Sequence, residues 1–165
     1  MVNKFFFEQT DKQVLINIKE LLKQLKQNMN DITPDDAIKI LISLLKVVFT
    51  VVKKNSLSSD CQIASWLLLA DVYASLSYTH SLKSSKSQKN TDAALIEAFN
   101  CVDKVRTIMK CLPMGYKLDG EFIKQCNTFA VANVDEAINC IKTGLIMPLI
   151  EQVEEQPLYS GLGQK

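Results

Sequence analysis

Ala37-Ile38-Lys39-Ile40-Leu41-Ile42-Ser43-Leu44-Leu45-Lys46-Val47-Val48-Phe49-Thr50-Val51-Val52 is the most apolar run of the chain. The spacing of its few polar residues decides between a membrane span and a helix of a soluble bundle. On a helix of 3.6 residues per turn, Asp36, Lys39, Ser43, Lys46, Thr50 and Lys53 fall within about 100° of one another and form a continuous polar stripe. A span wants about 20 residues without such a stripe. The run is therefore expected as the central hydrophobic helix of a bundle. Just upstream, Asn30-Asp31-Ile32-Thr33-Pro34-Asp35-Asp36 supplies a cap residue, a proline at the first helical position and two carboxylates where the helix dipole favours negative charge.

The segments on either side repeat this logic. Thr10-Asp11-Lys12-Gln13 has the residues of a capping box, and Val14, Leu15, Ile18, Leu21, Leu22, Leu25 and Met29 then fall within about 120°, predicting a helix over 10–29. Ser59-Asp60-Cys61-Gln62 opens a third helix that fades near His80 to Leu82. Ser84-Ser85-Lys86-Ser87-Gln88-Lys89-Asn90-Thr91 has no apolar residue and reads as a mobile loop, open to trypsin at Lys83, Lys86 and Lys89. A fourth helix starts near Asn90 or Thr91 and ends at Pro113-Met114-Gly115-Tyr116. Asp119 caps a fifth that carries Phe122 to Ile141, with Gly144 as its C′ residue. Asn133-Val134-Asp135-Glu136 is itself a capping box, so this fifth helix reads as one piece or as two. Leu145 to Val153 would add a short helix interrupted by Pro148. No alternating strand pattern and no internal repeat occur. The expectation is an all-α, single-domain bundle of five to seven helices over 1–156, followed by a flexible tail over 157–165.

Composition narrows the function classes. A chain of 165 residues is one domain able to bury its core without metal or disulfide. A net charge of +1 gives no electrostatic case for nucleic acid or an anionic membrane. Arg106 is the single arginine among 19 basic residues, which disfavours a phosphate-reading surface. Cys61, Cys101, Cys111, Cys126 and Cys140 are odd in number, unpaired in spacing and set in apolar stretches, so they read as buried free thiols of a cytoplasmic protein. Delivery into another cell is left open.

Chemistry-bearing patterns are sparse: no nucleotide loop, nucleophile elbow or zinc-spaced motif is present. A thiol enzyme would have to combine a cysteine with His80, the one histidine, with Asn133 to orient it; His80 reads instead as a partly exposed residue at a helix end. Cys126, Asn133 and Cys140 share one line of a continuous helix, but two cysteines about 21 Å apart cannot hold one ion. Asn133 reads as a register-fixing polar residue or as a cap. Asp71 shares a face with Ser75 and Tyr78 and is expected on a solvated edge. Arg106 reads as a residue lying along Phe99 and paired with Asp103, or as an anchor for a partner's carboxylate.

Trp66-x-x-Leu69-Ala70-x-x-Tyr73 resembles the first helix of a tetratricopeptide repeat over eight residues. The loop after it is far longer than that repeat's tight turn, and no second copy occurs, so the pattern is assigned to helix packing. The functional expectation is a non-catalytic protein-protein interaction module of adaptor, chaperone or effector type. It would bind another protein through a helical face or groove, and Ile16, Tyr78, Ile96 and Arg106 are its candidate contact residues. Catalytic residues, cofactors and metal ligands are expected to be absent; self-association is open. The alternative is a small-molecule or lipid-binding bundle whose apolar faces enclose a cavity.

Overall fold

The computed structural model describes residues 10–83 and 88–156. Six helices, α1 (Asp11–Gln27), α2 (Pro34–Val52), α3 (Ser59–Ser81), α4 (Gln88–Lys110), α5 (Gly120–Cys126) and α6 (Val134–Gln156), pack together, with a 3-10 turn over Met29–Asp31 and no strand among the described residues. No described helix is long and apolar enough to cross a membrane. The expected bundle around a central hydrophobic helix is what forms.

The helix ends follow the sequence closely. Thr10 accepts from the Gln13 N–H and Thr33 from the Asp36 N–H, with Pro34 at the first turn of α2. Ser58, one residue earlier than expected, caps α3 by accepting from Cys61 N–H, and the Gln62 side chain turns back to donate to the Leu57 carbonyl. Gly115 takes a left-handed φ of 81° after α4, closing a turn in which Tyr116 N–H donates to the Pro113 carbonyl. α4 begins earlier than expected, at Gln88. Polar residues 88–91 are therefore its first turn rather than loop, and the Thr91 carbonyl accepts from the buried Ser77 hydroxyl. Residues 84–87 of the expected loop, and the expected tail over 157–165, lie outside the described residues.

α3 takes the middle of the bundle. Cys61, Ile63, Ala64, Leu67, Leu68, Leu69, Val72 and Leu76 are buried around its whole circumference, as a helix surrounded by others must be. It packs against α1, α2, α4, α5 and α6, most extensively against α4. α2, expected at the centre, packs on α1 and α3. Its polar stripe is exposed as read, and Ile40, Ile42 and Val47 beside it remain 41–44% exposed.

The expected fifth helix is two. α5 stops at Cys126, and the chain crosses residues 127–133 before Asn133 caps α6 by accepting from Glu136 N–H. Asn127 holds this break together from inside: its buried amide donates to the Ile123 and Val131 carbonyls at 2.7 and 2.8 Å and accepts from Val131 N–H at 3.2 Å. Ala130 lies beside it at a left-handed φ of 56°. Gly144 does not end α6, contrary to expectation: it is helical, without the left-handed φ of a C′ glycine, and the helix runs on through Pro148. Pro148 lacks the N–H that would reach the Gly144 carbonyl.

Candidate functional site

Among the described residues, Asp71 is the one buried charged side chain, and the break between α5 and α6 helps to build its surroundings. Asp71, near the middle of α3, is 4% exposed, not on a solvated edge as its sequence context suggested. Burying a carboxylate is tolerated only with compensation, and two elements supply it. Lys26, in the last turn of α1, places its ammonium 2.5 Å from Asp71 Oδ1. Thr128, in the segment after α5, donates its hydroxyl to Asp71 Oδ2 at 2.6 Å and accepts from Lys26 Nζ at 2.9 Å. Lys26 Nζ also lies 4.7 Å from the centre of the Phe129 ring, within cation–π range. The Asn127 clasp fixes where Thr128 and Phe129 stand, so the loop geometry and the ion pair are one construction.

A cleft of about 340 Å³ opens over this cluster between α1, α3 and α6. Leu25, Met29, Ala74, Phe129 and Ile141 give it apolar walls. Lys26, Asp71, Asn30, Ser75, Tyr78 and Cys140 add polar atoms, and Gly144 leaves one side open. Asp71, Ser75 and Tyr78 do share a face, as the sequence indicated, and that face is the α3 wall of the cleft. A second concavity of about 410 Å³ lies between α1 and α2, lined by Leu21, Leu25, Ile32, Ile40 and Leu44 with Gln24, Asn28 and Ser43 at its edges. Among the described residues, no charged group lines it.

The four candidate contact residues do not converge. Tyr78, 42% exposed, lines the cleft. Ile16 is half-buried and packed against the core, and so does not stand out as a surface contact. Ile96, 58% exposed, lies on α4 with Phe99 and Arg106 at spacings that place all three on one outer stripe, away from the cleft lining. Arg106 Nη1 stands 4.0 Å from Asp103, the expected pairing within one turn. His80 is half-buried in the last turn of α3, with Nδ1 buried and without a hydrogen-bond partner among the described residues. Burial, and secondarily the Lys83 charge, pull its pKa below the ordinary value, which favours the neutral ring over the dipole-stabilised cation.

All five cysteines are free, but not all are buried: Cys111, just past the end of α4, is exposed, and Cys140 is half-buried on the cleft wall. Burial pushes the Cys101 and Cys126 thiols up to about 12. Among the described residues, no three His, Cys, Asp or Glu side chains stand together as a metal would require.

Lys26, Thr128 and Phe129 were missed from the sequence, and Asp71 was misplaced. The available signal was Asp71 itself, an acid in the middle of a helix apolar on every side, which demands a buried cation from elsewhere in the chain. Comparison with family models, curated proteins and solved structures finds no match.

Proposed function

We propose that this chain is a non-catalytic binding module that recognises another protein by taking one of its apolar side chains into the α1/α3/α6 cleft. The observation that carries the reading is the cleft's make-up: apolar walls over a single oriented polar cluster, the pattern of a recognition site. Asp71 is not free to act as a general acid or base in it, because both its oxygens are engaged, by Lys26 and by Thr128. The free cysteines fit a reducing, cytoplasmic setting. Ile96 and Arg106, on the α4 stripe, serve as secondary contacts in this reading.

Gly144→Trp is the discriminating variant, since a Cβ added at Gly144 meets nothing within 4 Å and the larger side chain fills the cleft from its open side. In pull-downs from the native cell, with every variant first matched for melting temperature, Gly144→Trp and Tyr78→Ala lose the partner and His80→Ala keeps it. Retention by Gly144→Trp together with loss by Ile96→Asp would move the recognition site to α4 and overturn the proposal. The cleft volume also suits a small ligand, the second reading. Native mass spectrometry showing a stoichiometric compound of a few hundred daltons, absent from Gly144→Trp, would favour it.

A further inference from the structure

The polar end of the cleft has a charge arrangement that restricts what it accepts. A lysine ammonium has three N–H donors. Asp71 Oδ1 takes one at 2.5 Å and the Thr128 hydroxyl another at 2.9 Å, leaving the third without an oxygen acceptor among the described residues. The Lys26 side chain is 31% exposed, whereas that of Asp71 is 6% exposed and lies beneath it. The cleft therefore presents a partly exposed ammonium, packed 4.7 Å from the centre of the Phe129 ring, while its charge is cancelled from below. Among the described residues, no other charged side chain lines the cleft.

We infer that this end of the cleft takes an uncharged hydrogen-bond acceptor next to an apolar side chain, namely a backbone carbonyl of the partner segment, and discriminates against a free carboxylate. The inference rests on the cleft being the recognition site. A carboxylate meeting Lys26 would stand close to Asp71 as well, because the two charges are only 2.5 Å apart. Attraction and repulsion then nearly cancel, and the loss of the carboxylate's hydration is not repaid. An ammonium fares no better, since both Asp71 oxygens are covered by existing donors. A neutral carbonyl gives up less hydration and gains a charge-assisted hydrogen bond. The apolar side chain beside it packs on Phe129, Leu25 and Met29. At about 340 Å³ the cleft has room for one such residue and its adjoining amide, not for a long chain.

Three phenylalanine derivatives test this on the intact protein, titrated against backbone amide NMR signals: neutral N-acetylphenylalanine amide, N-acetylphenylalanine with a carboxylate in place of the carboxamide, and phenylalanine amide with an ammonium in place of the acetylated nitrogen. The neutral probe is expected to shift Asp71, Tyr78, Phe129 and Gly144 saturably, with no weakening as salt is raised. The anion and the cation should bind on the order of tenfold more weakly, the cost of an ion whose hydration is not replaced. Gly144→Trp should abolish the shifts for all three. An anion or cation that shifts the same signals at equal or higher affinity would overturn the inference while leaving the cleft as a binding site. No saturable shift in the cleft with any probe would overturn both.

Discussion

The Lys26 ammonium and the Asp71 carboxylate meet at 2.5 Å where α1 crosses the middle of α3, with the Thr128 hydroxyl bridging them. One partner is buried and the other is partly open to the cleft, which makes the pair asymmetric. Removing the exposed partner strands a buried charge; removing both does not.

Lys26→Met should accordingly lower the unfolding free energy by about 2–3 kcal/mol, below the range for fully buried pairs because Lys26 is partly solvated. The double variant Lys26→Met/Asp71→Leu should recover most of this in urea titrations. If the double variant were as unstable as the single one, Asp71 would owe its place to something other than compensation by Lys26.

Asn127 should be as sensitive, through the backbone. Its amide serves the Ile123 and Val131 carbonyls and the Val131 N–H. Asn127→Ala leaves these groups unpaired at a cost of about 1–3 kcal/mol. It should also weaken binding in the cleft, because Thr128 and Phe129 follow directly. Ala130→Gly should act in the opposite direction, relieving the left-handed φ of 56° and raising stability by about 0.5–1 kcal/mol. Equal destabilisation by both variants would show that the 127–133 segment is not held in the way described.

The caps of α1, α2 and α6 were legible because each depends on neighbours close in sequence, Thr10 with Gln13, Thr33 with Asp36 and Asn133 with Glu136, whereas the α3 cap is Ser58 rather than Ser59 and α4 starts inside the expected loop. Local pattern did not decide the centre of the bundle. α2 is the more apolar segment, but α3 is apolar around its whole circumference and so is the one surrounded. The candidate site depends on meetings between α1, α3 and the 127–133 segment, which no local spacing encodes. Asn127, flanked by Cys126 and Thr128, gave no sign of bracketing a break, since its partners are backbone atoms.

Ile16 and Ile96 separate a core role from a surface role. Both are isoleucines on otherwise polar helix faces, yet Ile16 packs on the core whereas Ile96 is 58% exposed. Ile16→Asp should destabilise by about 2 kcal/mol or more, and Ile96→Asp should stay within about 0.5 kcal/mol of wild type. Comparable melting temperatures for the two variants would contradict the packing of α1.

His80 gives the fold a pH dependence near neutrality. Its native pKa is lowered by burial and then by Lys83, whereas the unfolded chain titrates at the ordinary 6.5. The unfolded state therefore binds the proton first. This contribution is fully present above 6.5 and is lost as the pH falls toward the lower native value. Wild type should lose melting temperature over that window, before carboxylate protonation takes over below about pH 5, and His80→Gln should be flatter there. A His80→Gln profile parallel to wild type would show that Nδ1 is solvated in solution.

Thiol reactivity offers a direct reading of the cleft, because the five cysteines differ in exposure. Cys111 is exposed and should be alkylated first. Cys140 is half-buried on the cleft wall and should follow more slowly. Cys61, Cys101 and Cys126 are buried, and burial raises all three thiols, the last two to about 12, so little thiolate is available to react while the fold is intact. They should be modified only under denaturing conditions, as peptide mapping after iodoacetamide treatment would show. Gly144 lies one helical turn beyond Cys140 and lines the same cleft. Gly144→Trp should therefore slow alkylation of Cys140 severalfold and leave Cys111 unchanged, and N-acetylphenylalanine amide should protect Cys140 in wild type alone. Unslowed modification of Cys140 in Gly144→Trp would mean that residue 144 does not cover the cleft, and the binding experiments that use this variant as a block would lose their control.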